Sequence, residues 1–357
     1  MSRKALIPLR EQPVIVRKLR HDAEVWTGLQ QPDNLPSMNS HEVAPPGIVA
    51  YAPGSIGNLG PGLDVLGCAL TGAGDEVRAW WSDTAGVRIV DPGLPDLPVD
   101  ADRHACGIAA QAVLARTGFH DRGIDLSVHK GLPLAAGQGG SGASAIAGAV
   151  AVNALLQCSG LDSLDDIALL SAALEAETRL AGRHLDNLAA SLFGGVVCVR
   201  SIDPPDVSRI AVARPIWFAL AHPGFSVHTS LSRAVLPEFC SRDVLVAQIG
   251  NVAALVNALV IGDVALLGRA LEDHVAEPAR ATLVPAFAEA KRAALEAGAL
   301  GVSLSGSGPT TFAACDSEAT AQASAEAMRW MFVAAGVSCT TRVATIDSVG
   351  ATWREVS

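Results

Sequence analysis

Pro133-Leu134-Ala135-Ala136-Gly137-Gln138-Gly139-Gly140-Ser141-Gly142-Ala143-Ser144 is the stretch on which the reading of this chain turns. No charged residue occurs between Gly131 and Leu161, and the apolar run after the glycines predicts a long helix over 141–157. A glycine-rich lead-in lets backbone approach a ligand closely. The free N–H groups and positive dipole end of the helix suit an anion such as phosphate. Two familiar spacings nearly fit. Gly137, Gly139 and Gly142 satisfy G-x-G-x-x-G, and Gly137 and Gly142 stand as in a P-loop, but Ala143 occupies the place of its lysine. The dinucleotide reading needs a buried parallel strand directly before the loop. Upstream, however, Ile124, Leu126 and Val128 alternate with Asp125, Ser127 and His129, the pattern of a half-buried strand. Gly131-Leu132-Pro133 then intervenes, and a second helix follows instead of a second strand. A flexible helix lead-in without a ligand is the alternative for this loop taken alone. Gln138, Asn153 and Gln157 argue against a membrane span and for a buried helix.

Working outward, a helix is expected over 104–117 and strands over 48–51, 76–81 and 87–90. A second glycine-rich segment, Pro53-Gly54-Ser55-Ile56-Gly57-Asn58-Leu59-Gly60-Pro61-Gly62-Leu63-Asp64, follows the first of these strands and offers the polar side chains of Asn58 and Asp64. Downstream, a helix fits 164–181, with Ser163 as cap, Asp166 three residues on and Gly182 as stop. Ile167, Leu170, Leu174 and Glu177 share one stripe of that helix, whereas Glu175 points elsewhere. A carboxylate on an apolar stripe needs a partner or a metal. A hard cation such as Mg²⁺ takes one or two carboxylates together with phosphates. The alternative is a helix-end glutamate that reaches solvent or pairs with Arg183. A strand is expected over 195–200, and Asp203-Pro204-Pro205-Asp206 reads as a domain boundary. Beyond it, strands fit 216–221, 302–305, 311–314 and 340–346, and helices fit 245–260, 264–274, 286–297 and 319–335. A third glycine-rich turn, Ser305-Gly306-Ser307-Gly308-Pro309-Thr310, joins two of these strands.

The mixture of strands and helices in both halves makes the class α+β, two-layered. The 357 residues allow about two domains. Half are hydrophobic and 17% charged, so a large aliphatic core is expected and wholesale disorder is excluded. A net charge of −10 without basic runs speaks against nucleic acid as a partner. The seven scattered cysteines, with no C-x-x-C, read as reduced, buried thiols of a cytoplasmic protein. The first 24 residues are charged throughout and carry no secretory signal. Residues 1–46 are taken as a loosely ordered extension, 47–205 as one domain and 206–357 as another.

The three glycine-rich segments together resemble those of the GHMP kinases, a family named for galactokinase, homoserine kinase, mevalonate kinase and phosphomevalonate kinase. Residues 53–67, PGSIGNLGPGLDVLG, are similar to PxSxANLGxGFDxLG of the homoserine kinase branch. Residues 133–144 are similar to PxxxGLGSSAAS, and SLSGSGPTTFA resembles the SGSGPT loop. His184-Leu185-Asp186-Asn187 with Phe193-Gly194-Gly195, and Thr229-Ser230-Leu231-Ser232-Arg233 with Glu277-Pro278-Ala279-Arg280, are similar to stretches more particular to that branch. The likeness runs from about Gly47 to Ala351. Gln138 stands where leucine is usual, Gly140 where the first serine is, Gly142 where alanine is, and Leu63 where phenylalanine is.

The resemblance implies a two-domain GHMP kinase fold, with an N-terminal ATP-binding domain like ribosomal protein S5 and a C-terminal ferredoxin-like α/β domain. It implies ATP-dependent phosphorylation of L-homoserine to O-phospho-L-homoserine, a step of threonine biosynthesis, with ATP and Mg²⁺ as cofactors. Ala135, Ala136, Gly137, Gln138, Gly139, Gly140, Ser141, Gly142, Ala143 and Ser144 would hold the ATP phosphates. Ser141 and Glu177 would ligate Mg²⁺. Asn58, Asp64, His184, Asp186, Arg233 and Arg280 would line the amino-acid site, with Asp64 for the ammonium and the two arginines for the carboxylate. Thr229 and Asn187 would stand near the reacting hydroxyl. Asn187 fills the slot where galactokinase and mevalonate kinase use an aspartate base, so no base is assigned. Another small-molecule kinase of the family, or a non-catalytic ligand-binding member, are the competing readings. The composition and charge lead us to expect neither nucleic acid nor membrane as a partner, and the resemblance implies a homodimer.

Overall fold

The computed structural model describes residues 6–8, 17–18 and 45–357. In chain order its elements are β1 (Leu6–Pro8), β2 (Arg17–Lys18), β3 (Gly47–Gly57), β4 (Leu66–Ser82), β5 (Val87–Asp91), α1 (Ala105–Thr117), β6 (Gly123–Lys130), α2 (Gly140–Cys158), α3 (Asp166–Leu180), α4 (Asp186–Phe193), β7 (Val196–Ile202) and β8 (Pro205–Ile210). There follow β9 (Trp217–Pro223), α5 (Thr229–Ala234), α6 (Arg242–Ile261), α7 (Val264–Ala270), α8 (Ala276–Arg280), α9 (Phe287–Glu296), β10 (Gly301–Leu304), β11 (Thr311–Cys315), α10 (Glu318–Ala334), β12 (Cys339–Thr345) and β13 (Thr352–Val356).

The first sheet runs β1-β8-β7-β4-β3-β13-β2, with β6 and then β5 added on the outer half of β4. β4 is long enough to serve two neighbours: Leu66 to Cys68 pair with β7, and Asp75 to Ser82 pair with β6. A register shift in β3 between Pro53 and Ser55 lets that strand follow the bend. Helices α1 to α4 cover one face. α2 is apolar all round, and Gly142 to Leu156 are buried without exception, as expected of a helix enclosed by other elements. Gly148 lets α2 touch α1, because an added Cβ would meet Cys106 at 2.6–2.7 Å.

The second sheet is β10-β11-β9-β12, antiparallel throughout. With its helices it forms the split β-α-β-β-α-β arrangement of a ferredoxin-like domain. One face packs on the first sheet and on α6 and α7 through Ile56, Leu66, Leu70, Phe218, Leu255 and Phe312. The other packs on α9 and α10 through Phe287, Met328 and Phe332. α2 and α6 are each long and apolar enough to cross a membrane by length and composition; α2 is the enclosed core helix, and α6 lays one face on the second domain.

Several expectations need correction. Residues 203–206 are not a boundary: Asp203 and Pro204 form the turn of the β7–β8 hairpin, Pro205 and Asp206 already pair in β8, and both strands belong to the first sheet. The chain changes sheet between Ile210 and Trp217, and β13 returns to the first sheet beside β3. Asp165, not Ser163, caps α3: its carboxylate accepts from the Ala168 N–H at 2.8 Å. The helix expected over 264–274 stops at Ala270, because Asp273 instead accepts the N–H groups of Val275, Ala276 and Glu277 at the start of α8. Of the thiols, Cys68, Cys106 and Cys315 are buried, but Cys158 and Cys240 are exposed, one at the end of α2 and one before α6. The extension expected over 1–46 lies outside the described residues except for β1 and β2, which occupy the two ends of the first sheet, and for residues 45–46.

Candidate active site

The glycine-rich loop before α2 is sewn to the protein by its carbonyls. Val227 N–H donates to Ala135 O at 3.3 Å, Thr310 N–H to Ala136 O at 3.2 Å, and Ser55 N–H to Gln138 O at 3.0 Å. Ser305 Oγ donates to Gly137 O at 2.6 Å, and Lys130 Nζ to Gly140 O at 3.2 Å. In a trans peptide the N–H opposes the carbonyl before it. Tying these carbonyls behind the loop therefore turns the following N–H groups toward the cleft. Gly137 and Gly139 hold φ of 75° and 71°. A Cβ would meet Ser305 O at 2.4 Å at the first and Ser55 Oγ at 2.2 Å at the second, so only glycine fits either place. No side chain caps α2, which leaves its N-terminal donors and dipole to a ligand. Beneath the loop, Lys130 pairs with Asp75, and Ser144 Oγ bridges the two, receiving from Lys130 at 3.0 Å and donating to Asp75 at 2.7 Å. Both charged side chains are almost wholly buried. Asp75 also accepts the N–H groups of Gly131 and Leu132.

Glu177 is 3% exposed on the inner face of α3. Its Oε1 accepts from Ser141 Oγ at 3.2 Å and lies 3.5 Å from His184 Nε2, while its buried Oε2 has no hydrogen-bond partner among the described residues. Burial pushes the Glu177 carboxyl up, and His184 and Ser141 offset this only in part. An orphaned carboxylate oxygen beside a helix N-terminal serine is a donor set suited to a hard cation that also takes phosphate oxygens. Glu175, two residues away, forms a surface ion pair with Arg116, and Arg183 pairs with Asp203 rather than with Glu177.

His184 Nδ1 lies 3.3 Å from Asp186 Oδ1. Burial opposes a charged imidazole, but Asp186 and Glu177 outweigh it, and the His184 pKa is raised. Burial likewise works against an ionised Asp186, yet His184 and the N–H groups of Asn187 and Asn58 hold its carboxyl below the usual range. Asn187 accepts from Ser55 Oγ at 2.9 Å. Added Cβ atoms at Gly57 and Gly139 would lie 2.6 Å from its Nδ2 and 3.2 Å from its Oδ1, so the side chain sits between the two glycine-rich segments.

The first of these segments continues β3 as far as Gly57 and only then turns. Asn58, Leu59, Gly60 and Asp64 all have positive φ. Asn58 holds the turn: its N–H donates to Asp186 at 3.0 Å, its Oδ1 accepts from Asp64 N–H at 3.2 Å, and its Nδ2 reaches Gly306 O at 3.4 Å. Asp64 and Arg233 pair with each other at 2.7 Å. Arg280 is 4% exposed and donates to Gly306 O at 2.8 Å and Ser232 O at 3.3 Å. Burial lowers its pKa, with Asp64 opposing. Its Nη2 makes no hydrogen bond within the described residues. Thr229 is the first residue of α5. Gln248, a residue the sequence did not single out, ties these pieces together. Its Nε2 donates to Pro61 O at 2.6 Å and to Asp273 at 2.9 Å, and its Oε1 accepts from His274 N–H at 2.8 Å.

These groups line one cavity of about 450 Å³. Asn58, Asp64, Glu177, His184, Asp186, Asn187, Thr229, Arg233 and Arg280 all face it, together with Ala135, Ala136, Gly137, Gly139, Gly140, Ser141 and Ser144. Three expected residues do not. Gln138 turns its side chain back toward Arg342 and Thr310. Gly142 faces Leu188 and Asn187 of α4, and Ala143 is enclosed. Arg103, His104, Lys130 and His228 also line the cavity. Of these, Lys130 carries a sequence signal, a lone cation at the end of an alternating strand directly before the glycine-rich loop.

Residues 104–195 match the family model for the GHMP kinases N terminal domain, and residues 252–333 match the model for GHMP kinases C terminal. The chain is 39% identical over 300 residues to a homoserine kinase of Chloroherpeton thalassium, covering 80% of this chain and 92% of that one. It is 39% identical over 313 residues to a homoserine kinase of Arabidopsis thaliana, covering 85% and 84%. A crystal structure of homoserine kinase from Cytophaga hutchinsonii superposes with a TM-score of 0.81 at 38% identity, covering 89% of this chain and all of that one.

Proposed function

The chain belongs to the GHMP kinases, and on that premise we propose that it transfers the γ-phosphoryl group of ATP to the side-chain hydroxyl of L-homoserine, giving O-phospho-L-homoserine. One observation carries this reading: an anion-receptive helix start and an oppositely charged pair, Asp64 and Arg233, share a single cleft with Arg280. An amino acid carries both charges that this pair complements. Its ammonium replaces Arg233 at Asp64, and its carboxylate takes the freed Arg233 together with Arg280 as planar donors.

The N–H groups of the loop and of the first turn of α2 receive the transferring phosphates, and Ser141 and Glu177 hold Mg²⁺. When bound, that ion neutralises charge on the phosphate oxygens. The residues of the chain orient and stabilise rather than react. Asn187 and Thr229 stand at the acceptor hydroxyl. Asp186 is a poor base, because its partners hold its pKa low. Its part is to fix His184 and the Asn58 turn. We also read the protein as a cytoplasmic homodimer: α6 leaves Leu245, Val246 and Ile249 exposed along one stripe.

The test is a turnover assay with ATP, Mg²⁺ and L-homoserine, set against mevalonate, galactose and an amino alcohol lacking the carboxylate. Hydrogen bonds to charged groups are worth about 1.5–3 kcal/mol. Arg233→Ala or Arg280→Ala should therefore cost about tenfold to a hundredfold in kcat/KM for homoserine, and far less for the amino alcohol. Equal losses on both substrates, or turnover of mevalonate or galactose in preference to homoserine, would refute the proposal.

A further inference from the structure

Gln138 departs from the leucine usual in similar loops, and it is also the point at which the loop meets the second sheet. It is 5% exposed. Its Oε1 accepts from Arg342 Nε at 3.1 Å, and its Nε2 reaches Thr310 Oγ1 at 3.4 Å. Thr310 is the residue whose N–H secures Ala136 O. Arg342 projects from β12 and donates through Nη1 to Thr71 O on β4 at 2.9 Å, so one side chain joins both sheets to the loop. Among the described residues its buried Nη2 has no hydrogen-bond partner, and none of its partners is a carboxylate. Burial lowers its pKa to about 10, so it is a cation at neutral pH.

A buried guanidinium held by neutral oxygens is costly, so each acceptor it has matters. A leucine at position 138 would remove one of its two acceptors. Gly140 and Gly142 stand where similar loops carry side chains. We propose that Gln138 and Arg342 are a positioning pair for the ATP phosphate loop. Arg342, anchored on Thr71, grips the Gln138 side chain and fixes the 138–139 peptide so that the following N–H groups face the cleft. The pair thus braces the loop from behind, on the side away from the cleft. Neither side chain touches the nucleotide; both act through the loop backbone. The inference rests on the ATP-binding part of the proposed function.

The experiment measures the affinity for a non-hydrolysable ATP analogue by calorimetry, and the KM values for ATP and homoserine, in Gln138→Leu, Arg342→Met and the double variant. Each single change should weaken nucleotide binding and raise the ATP KM about tenfold, while the homoserine KM stays within about twofold. The double variant should resemble the singles, because all three break one link. If Gln138→Leu unfolds by stranding the guanidinium, the double variant, which removes both partners, still gives the reading. Unchanged nucleotide affinity, equal rises in both KM values, or a hundredfold, additive loss in the double variant would overturn the pair. A wild type that binds the analogue but does not phosphorylate homoserine would overturn the proposed acceptor and leave the pair to be judged on nucleotide affinity. A wild type that binds no analogue would overturn both.

Discussion

Replacing Glu177 by glutamine should move stability and turnover in opposite directions. In the free protein the Glu177 carboxylate is buried, one oxygen has no partner, and its pKa is raised by burial. A buried polar atom left unpaired costs about 1–3 kcal/mol. Glutamine keeps the shape and the acceptor for Ser141 and removes the charge, although its NH2 then stands unpaired where Oε2 stood, so only the part of the cost due to the charge is relieved. At about 2–4 °C per kcal/mol for a chain segment of domain size, the melting midpoint of the nucleotide-free variant should rise by several degrees. The sign with pH follows from linkage. The folded pKa lies above the ordinary value of 4.5, so the wild type loses stability as pH rises from there through the folded value, and the variant does not. The gap between them should therefore open with increasing pH. Turnover should fall by about 10²–10³, the usual cost of removing one preorganised electrostatic group. Glu175→Gln is the control: its ion pair with Arg116 is more than a third exposed on the glutamate side and worth about 0–1 kcal/mol. Scanning calorimetry without nucleotide and a coupled ADP-release assay read the two effects. A variant that melts lower than the wild type yet turns over normally would refute both the strain and the metal role.

Four further outcomes are expected. Gly140→Ser should be tolerated in ATP kinetics, since an added Cβ meets nothing closer than Pro133 O at 3.4 Å, whereas Gly139→Ala should abolish activity. Asp75→Ala should destabilise by about 3–5 kcal/mol in urea titration, because it leaves Lys130 buried and unpaired. Removal of residues 1–40 should leave kcat/KM for homoserine largely unchanged, since every cleft residue lies beyond them. Ile249→Glu should shift the protein to a monomer by light scattering while its melting curve stays near that of the wild type.

What the sequence made legible was whatever had a local period or a local anomaly. The buried helix showed as an uncharged run, and Glu177 as a carboxylate in an apolar stripe; both lie as read. Features fixed by partners far along the chain did not show. β13 is a short strand whose neighbour, β3, lies some 300 residues away, and no pattern within Thr352–Val356 announces that pairing. The hairpin turn at 203–206 has the composition of a linker, because prolines punctuate turns and linkers alike. The sequence offers Asp64 and Arg233 as separate partners of a ligand, but in the folded chain they pair with each other. Gln138 matched its motif by position, and only the fold shows that its side chain faces away from the cleft.

The return of β13 has a consequence for how the protein is made. Gly47 stands opposite Val356, so the first and last residues of this antiparallel pair are neighbours. During synthesis from the N-terminus, β3 has β4 on one side and an open edge on the other until β13 has been made. An unpaired strand edge of this kind is a template for wrong pairing. The first domain therefore cannot finish before the second is translated, although most of its residues come first. The same adjacency brings the ends of the folded unit together. A new start cut at the β7–β8 turn, with Val356 joined to Gly47 by a short linker and the residues before Gly47 left out, would place β13 directly before β3 and turn this long-range pairing into a local one.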